Sequence, residues 1–343
     1  MHLAPDGHTL PTRADARSSP VTTPSATPAG STATPTLAPT TPLPTPAVTS
    51  TAAAPADLVH GTWDERASMP AARSEMPAAE LDGLIYVPGG FGGEQLLEVY
   101  DPAADAWRSL TPLPEGRHHL MATAHAGRLY VLGGARAVGG DPTATAWAYD
   151  PAADSWSTLA SMPEARVAGA AVSLDNFVYV VGGVGGTSAL LRYDPSNDSW
   201  ASLAALDEPR EHTAAVALNG RIYALAGRWQ GVGELASVEV YDPESDVWAP
   251  APSMAVARGG HGAAVLAGHI FVVGGEAFAG GTRTLDSVEV YDPQTETWAA
   301  APPLSVPLHG VPAAGVGAAL FVLGGSDRAG AIDNQGRVLQ YMP

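Results

Sequence analysis

From Leu58 onward the chain alternates short apolar runs with turn-forming dipeptides. An Ala/Val-rich run, TAAVAL (213–218), meets Asn219-Gly220 and returns as RIYALAG (221–227). SVEVY (237–241) follows a loop, and an Asp-Pro turn then leads into a segment bearing Trp248. Dipeptides such as Asn219-Gly220 and Asp82-Gly83 suit the positive φ angles of a tight hairpin turn. Each unit therefore predicts four short antiparallel strands, A to D. The two inner runs are apolar at consecutive rather than alternate positions, so both faces of each sheet must be covered. No run of 18 or more apolar residues occurs, so no membrane-spanning helix is expected.

The unit repeats. Gly89-Gly90, Gly133-Gly134, Gly182-Gly183, Gly274-Gly275 and Gly324-Gly325 recur, with Ala226-Gly227 as a variant. Sixteen residues before each pair stand Arg73, Arg117, Arg166, Arg210, Arg258 and, breaking the rule, Leu308. Ten residues before those stand Trp63, Trp107, Trp156, Trp200, Trp248 and Trp298. Small four-stranded sheets stacked around an axis meet the two-sided burial, which makes the fold class all-β: a six-bladed β-propeller of four-stranded antiparallel blades. After Tyr341 only two residues remain and no Trp follows. The sixth outer strand must come from Trp63, so an N-terminal outer strand closes the last blade.

The repeated residues, R-x(16)-GG followed by YDPxxDxW, resemble the kelch repeat over residues 58–343. That resemblance implies the same propeller architecture. Kelch domains often accompany BTB and other ligase-recruiting domains, and no such domain is encoded here. Kelch propellers also include copper radical oxidases of galactose oxidase type, which need a Tyr cross-linked to Cys. This chain has no Cys, which excludes that chemistry.

Composition narrows the chemistry further. All 17 basic residues are Arg, and there is neither Lys nor Cys. This excludes a P-loop lysine, a pyridoxal phosphate Schiff base, a thiolate nucleophile and disulfides. A net charge of −18 argues against a nucleic-acid partner. Residues 1–57 read as a separate region. From Ser18 to Ala56 the chain is uncharged and almost entirely Ser, Thr, Pro and Ala, a composition expected to form an extended, disordered tether. Such tethers suggest an extracytoplasmic setting, secreted or attached at the surface, although the first residues show no apolar signal region. The domain itself is expected to be a monomer.

Strand direction places the B–C and D–A loops on one face, the top. Only the B–C loops vary: from the second Gly to the Tyr the steps are 10, 15, 10, 14, 16 and 16. Variable loops on a fixed scaffold are where binding is expected. Features found in every blade, such as the Asp pairs from Asp101/Asp105 onward, read as turn caps rather than calcium or acid–base sites. The phased Arg residues read as structural ties. Residues that break the sixfold pattern are the functional candidates. Four blades bring His near the channel: His118 and His119, His212 with Glu211, His261, and His309; Glu75 stands in blade one. Imidazole is a common metal ligand, but a ligand set needs converging geometry that spacing across blades cannot show, so neither a metal nor a cofactor is assigned.

The ligand-binding candidates are Arg117, His118, His119, Arg136, Arg210, His212, Arg228, Trp229, Gln230, Arg283, His309 and Arg328. Their arginines predict a locally positive mouth suited to an anionic protein or glycan, and Trp229 a surface for stacking or a hot spot. The function expected is a non-catalytic recognition module working through the top face. The alternative comes from resemblance: similar six-bladed bacterial proteins exchange sialic acid anomers as epimerases or mutarotases. That reading gives Arg210, Glu211 and His212 the catalytic roles.

Overall fold

The computed structural model describes residues 56–343. The predicted tether lies outside the described residues, apart from Ala56 and Asp57, which open a short 3-10 turn, Ala56–Val59. Six four-stranded antiparallel sheets follow one another. Blade 1 comprises Ala79–Leu81, Leu84–Pro88, Leu97–Asp101 and Ala106–Ser109. Blade 6 is assembled from both ends of the fold: Ala313–Val316, Ala319–Leu323 and Val338–Met342 pair in order, and Thr62–Glu65 joins as the outer strand with Trp63 opposite Tyr341. No helix among the described residues is long and apolar enough to cross a membrane.

The doubly apolar inner strands find their use between blades. Ile85 and Val87 pack toward blade 6, whereas Tyr86 between them packs toward blade 2. Six such clusters, one per junction, make up the core. Strand periodicity sends alternate side chains to opposite faces, so every second strand serves two junctions at once.

Polar clasps reinforce these junctions on the outer rim. Trp107 Nε1 donates to the Ala67 carbonyl at 2.9 Å, and Asp105 accepts from the Ala67 N–H at 2.8 Å and from the Tyr100 hydroxyl at 2.5 Å. The pattern recurs with Thr111, Ala160 and Ala204 as the gripped residues. At the next junction Trp298 grips Pro252, which has no N–H, and Glu296 replaces the Asp. In blade 6 Trp63 grips Pro302, and the Tyr341 hydroxyl instead bonds Leu58 O and Gly61 N. The first Asp of each pair caps its turn as expected, Asp101 accepting from the Ala103 and Ala104 N–H groups. The second Asp ties neighbouring blades together.

The phased arginines are fully buried. Arg210 bonds Glu239 at 2.7 Å and the carbonyls of Ala226 and Ser237; Arg258 and Arg73 do the same with Glu289 and Glu98. In blades 2 and 3, Trp147 and Leu191 occupy the position of those glutamates, and Arg117 and Arg166 pair instead with Glu115 and Glu164. Blade 6 replaces both partners at once, with Leu308 for the Arg and Leu339 for the Glu, both about 1% exposed. A buried charge left without its partner is costly, and an apolar pair avoids the problem altogether.

Candidate functional site

The residue two positions after each phased residue stands at the channel mouth: Glu75, His119, Ala168, His212, Gly260 and Gly310. Each has a positive φ between 47° and 63°. Each donates its N–H to the carbonyl of the preceding member: His119 to Glu75, Ala168 to His119, His212 to Ala168, Gly260 to His212, Gly310 to Gly260, and Glu75 back to Gly310, at 2.7–2.9 Å. The result is a closed circle of six inter-blade hydrogen bonds around the axis. Left-handed backbone in non-glycine residues is uncommon and strained, so Glu75, His119 and His212 are held there by their surroundings. Alongside, one residue after each phased position pairs with the residue that follows each Gly pair, as in His118 with Ala135 and Glu211 with Arg228. That pairing brings the D–A and B–C loops onto one face in every blade.

The side chains of this circle converge. His119 Nε2 lies 3.0 Å from His212 Nε2 and 3.3 Å from Glu75 Oε2. The Nδ1 atoms of His118 and His119 lie 2.7 Å apart, within hydrogen-bond distance, and Phe91 stacks on His118. His212 Nδ1 bonds Glu211. Arg228 bonds Glu211 at 2.7 Å, Glu276 at 2.6 Å and His212 Nε2 at 3.0 Å. His309 Nδ1 stands 3.4 Å from Glu276 and 3.6 Å from Glu75. Blades 1, 2, 4, 5 and 6 thus contribute to one polar network.

Burial and neighbouring charges oppose each other at these groups. Burial pushes His119 down to about 4 despite Glu75 beside it. It works equally against the carboxylate of Glu75, yet His119, His309 and His212 outweigh it and hold that group well below the usual range. His309 is the other imidazole facing Glu75. Its own pKa is opposed by burial but raised by Glu75 and Glu276. Glu211 is likewise held low, as His212 and Arg228 overcome its burial.

Beneath the circle lies a cavity of about 140 Å³, lined by Glu75, His119, His212, His261 and small residues of the innermost strands. A larger groove of about 620 Å³ opens on the top face. Its walls are Val184, Gly185 and Gly186 from blade 3 and a small hairpin of blade 4, in which Arg228–Trp229 pairs with Gly233–Glu234. Trp229 and Gln230 line it, and Glu211 and Arg228 connect it to the channel network.

The expected site residues separate into three groups. His118, His119, His212, His309 and Arg228 come together with Glu75, Glu211 and Glu276, while Trp229 and Gln230 adjoin them in the groove. Arg117 and Arg210 are corrected: both guanidinium groups are buried and bonded inside their blades, so neither is exposed on the top face. Arg136, Arg283 and Arg328 stand apart on exposed loops. Arg136 pairs with Glu115, Arg328 lies 3.8 Å from Asp333, and Arg283 reaches the Ala279 carbonyl. The predicted positive mouth is corrected as well, because Arg228 is enclosed by Glu211 and Glu276, and Arg136 and Arg328 face carboxylates of their own. Sequence reasoning missed the glutamates that hold the buried arginines. Their signal was the Glu two residues before Tyr100, Tyr241 and Tyr291, or two before Arg117 and Arg166.

A family model described as "Kelch motif" matches residues 72–114, 116–163, 209–255 and 257–305, more than half of the chain. The chain belongs to the kelch-repeat family. It is similar to an F-box/kelch-repeat protein of Arabidopsis thaliana, 39% identical over 82 residues, which cover 23% of this chain and 22% of that protein. It is also similar to the influenza virus NS1A-binding protein homolog of Mus musculus, 37% identical over 67 residues, 19% of this chain and 10% of that protein. The matches thus span under a quarter of those relatives. Among solved structures, that of YjhT superposes with a TM-score of 0.72 at 17% identity, over 79% of this chain and 95% of that one, a likeness of fold.

Proposed function

We propose that this propeller is a non-catalytic recognition module that seats a partner protein on its top face, with the groove beside Trp229 as the anchor pocket. The groove carries the reading. Its volume of about 620 Å³ falls in the range of ligand sites, roughly 300–1,000 Å³. It combines a half-buried Trp with an Arg fixed by two carboxylates, and Trp and Arg are the residue types most enriched at binding hot spots. The name of the mouse relative, which describes binding to a protein, supports the same direction. A glycan stacked on Trp229 is the other occupant. The Ser18–Ala56 composition favours an extracytoplasmic setting for the module.

The test is to probe protein and glycan arrays with the full chain and with Trp229→Ala. We expect protein ligands whose affinity falls about 30-fold or more in the variant, the scale of a hot-spot residue. Ligands bound equally by both forms count against the groove, and hits confined to glycans count against a protein partner. A second reading, sugar modification, is favoured only by the Glu211–His212–Arg228 chain beside the axial cavity. It loses Arg210, buried against Glu239, as the group that holds a carboxylate. Proton NMR of sialic acid anomers tests it: exchange no faster than in buffer removes it.

A further inference from the structure

We propose that Glu75, His119 and His212 form a binding site for a divalent transition-metal ion at the mouth of the axial channel, with a coordination position left open toward the cavity. The three donor atoms lie within 4.8 Å of one another. The distances of 3.0 Å between the two Nε2 atoms and 3.3 Å from His119 Nε2 to Glu75 Oε2 suit a shared ion. Ligand atoms about 2.0–2.1 Å from a tetrahedral zinc ion stand about 3.3–3.4 Å from each other. Each donor belongs to a different blade, and the circle of backbone hydrogen bonds fixes where each side chain begins.

The surrounding hydrogen bonds aim these donors. His212 Nδ1–H donates to Glu211, which leaves the Nε2 lone pair facing the site, and a carboxylate behind a ligating imidazole is the usual support. That lone pair has two neighbours able to donate, Arg228 Nη2 and His119 Nε2, each at 3.0 Å. One acceptor cannot satisfy both well; an ion shared by the two imidazoles would take the place of the His119 proton, while Arg228 keeps its bonds to Glu211 and Glu276. For His119 to ligate through Nε2, its proton must sit on Nδ1. The Nδ1–Nδ1 bond to His118 permits this, since either ring can be the donor. His118 is then the Nε2–H tautomer, so both rings stay neutral with the same two protons, and among the described residues that buried nitrogen holds no other hydrogen bond to break.

Space and charge agree with this assignment. A Cβ at Gly310 would lie 2.6 Å from Glu75 Oε1, so the glycine leaves the carboxylate its place. The cavity of about 140 Å³ beneath has room for water or one small group of a ligand. Three carboxylates, Glu75, Glu211 and Glu276, face one guanidinium, Arg228, and His309, a balance that favours an added cation. Two imidazoles and a carboxylate, with no thiolate, suit zinc, nickel or copper better than calcium or magnesium. Partner recognition in the groove does not depend on this site, and the site does not depend on recognition.

The test is to strip the full-length chain with a chelator and titrate it with zinc chloride by calorimetry at neutral pH. We expect one saturable site that the double variant His119→Gln, His212→Gln abolishes and that Glu211→Gln weakens about 10–100-fold. The absence of saturable binding by the unmodified chain overturns the proposal, as does binding that persists unchanged in a folded double variant. A crystal soaked in zinc decides the matter without any variant. An anomalous peak between Glu75, His119 and His212 supports the site, and peaks only elsewhere, such as at the exposed His60, overturn it.

Discussion

Trp63 stacks against Tyr341 with ring centroids 5.0 Å apart, and the two are register partners in the last blade. Five other blades make the same Tyr–Trp contact within a continuous stretch of chain; Tyr100–Trp107 is also at 5.0 Å. Only here does the contact join the first strand of the fold to the last. Deleting Leu58–Met69 removes that strand and the Trp63 and Leu58 contacts with the blade 5–6 cluster. It is expected to lower the thermal midpoint, measured by circular dichroism. An unchanged midpoint contradicts closure by this strand.

The buried Arg–Glu pairs give a second expectation. Glu239→Ala strands the Arg210 guanidinium, which is fully buried, and should cost about 3–5 kcal/mol in denaturant unfolding. The double variant Arg210→Leu, Glu239→Leu copies the Leu308 and Leu339 arrangement of blade 6 and should recover most of that loss. A double variant no more stable than Glu239→Ala refutes the reading.

The rim clasps separate two acidic residues of similar sequence position. Asp198 accepts from the Ala160 N–H at 2.8 Å and the Tyr193 hydroxyl at 2.7 Å, and the Ala160 bond leads the causes that hold its pKa low. Asp198→Ala should cost about 1–3 kcal/mol. Glu296 holds the matching position in blade 5, where the gripped residue, Pro252, offers no N–H, so Glu296→Ala should stay within about 0.5 kcal/mol. Equal losses would show that the clasp contributes nothing.

Acid stability should depend on His261. Burial, with Arg258 nearby, pushes it down to about 3, against about 6.5 for a free imidazole. The unfolded chain therefore takes up a proton below pH 6.5 that the folded one refuses. This group lowers stability progressively as pH falls from 6.5 toward 3, by about 1.4 kcal/mol per pH unit at most. His309 has the opposite sign: its raised value stabilises below 6.5, and that contribution is lost as pH rises through the folded value. His261→Leu should flatten the unfolding free energy between pH 6.5 and 5, above the carboxylate range, and an unaltered slope there speaks against it.

The blade count, the strand order and the closure by Trp63 were legible in the sequence because they rest on residues in constant phase. Hairpin dipeptides, Gly pairs and the Tyr–Trp interval all report local geometry, which spacing encodes directly. The site was legible only in part. His119, His212 and Glu75 were recognisable as departures from the sixfold pattern, but their meeting depends on how six separate loops turn inward, and no interval along the chain measures that. Charge misled for a related reason. Arg117 and Arg210 look like free cations until the carboxylates facing them, some 30 residues away in the case of Glu239, are placed beside them.

The loop of main-chain bonds at the axis has a consequence for how such molecules diversify. Amide and carbonyl groups hold it shut, and every residue type except proline supplies both. The six positions therefore act as interchangeable mounts, filled here by an acid, two imidazoles, a methyl group and two bare backbones. Side-chain chemistry can be exchanged there without altering the main-chain bonds, provided the new residue tolerates the left-handed backbone and its neighbours leave room for a Cβ, as Glu75 does not at Gly310.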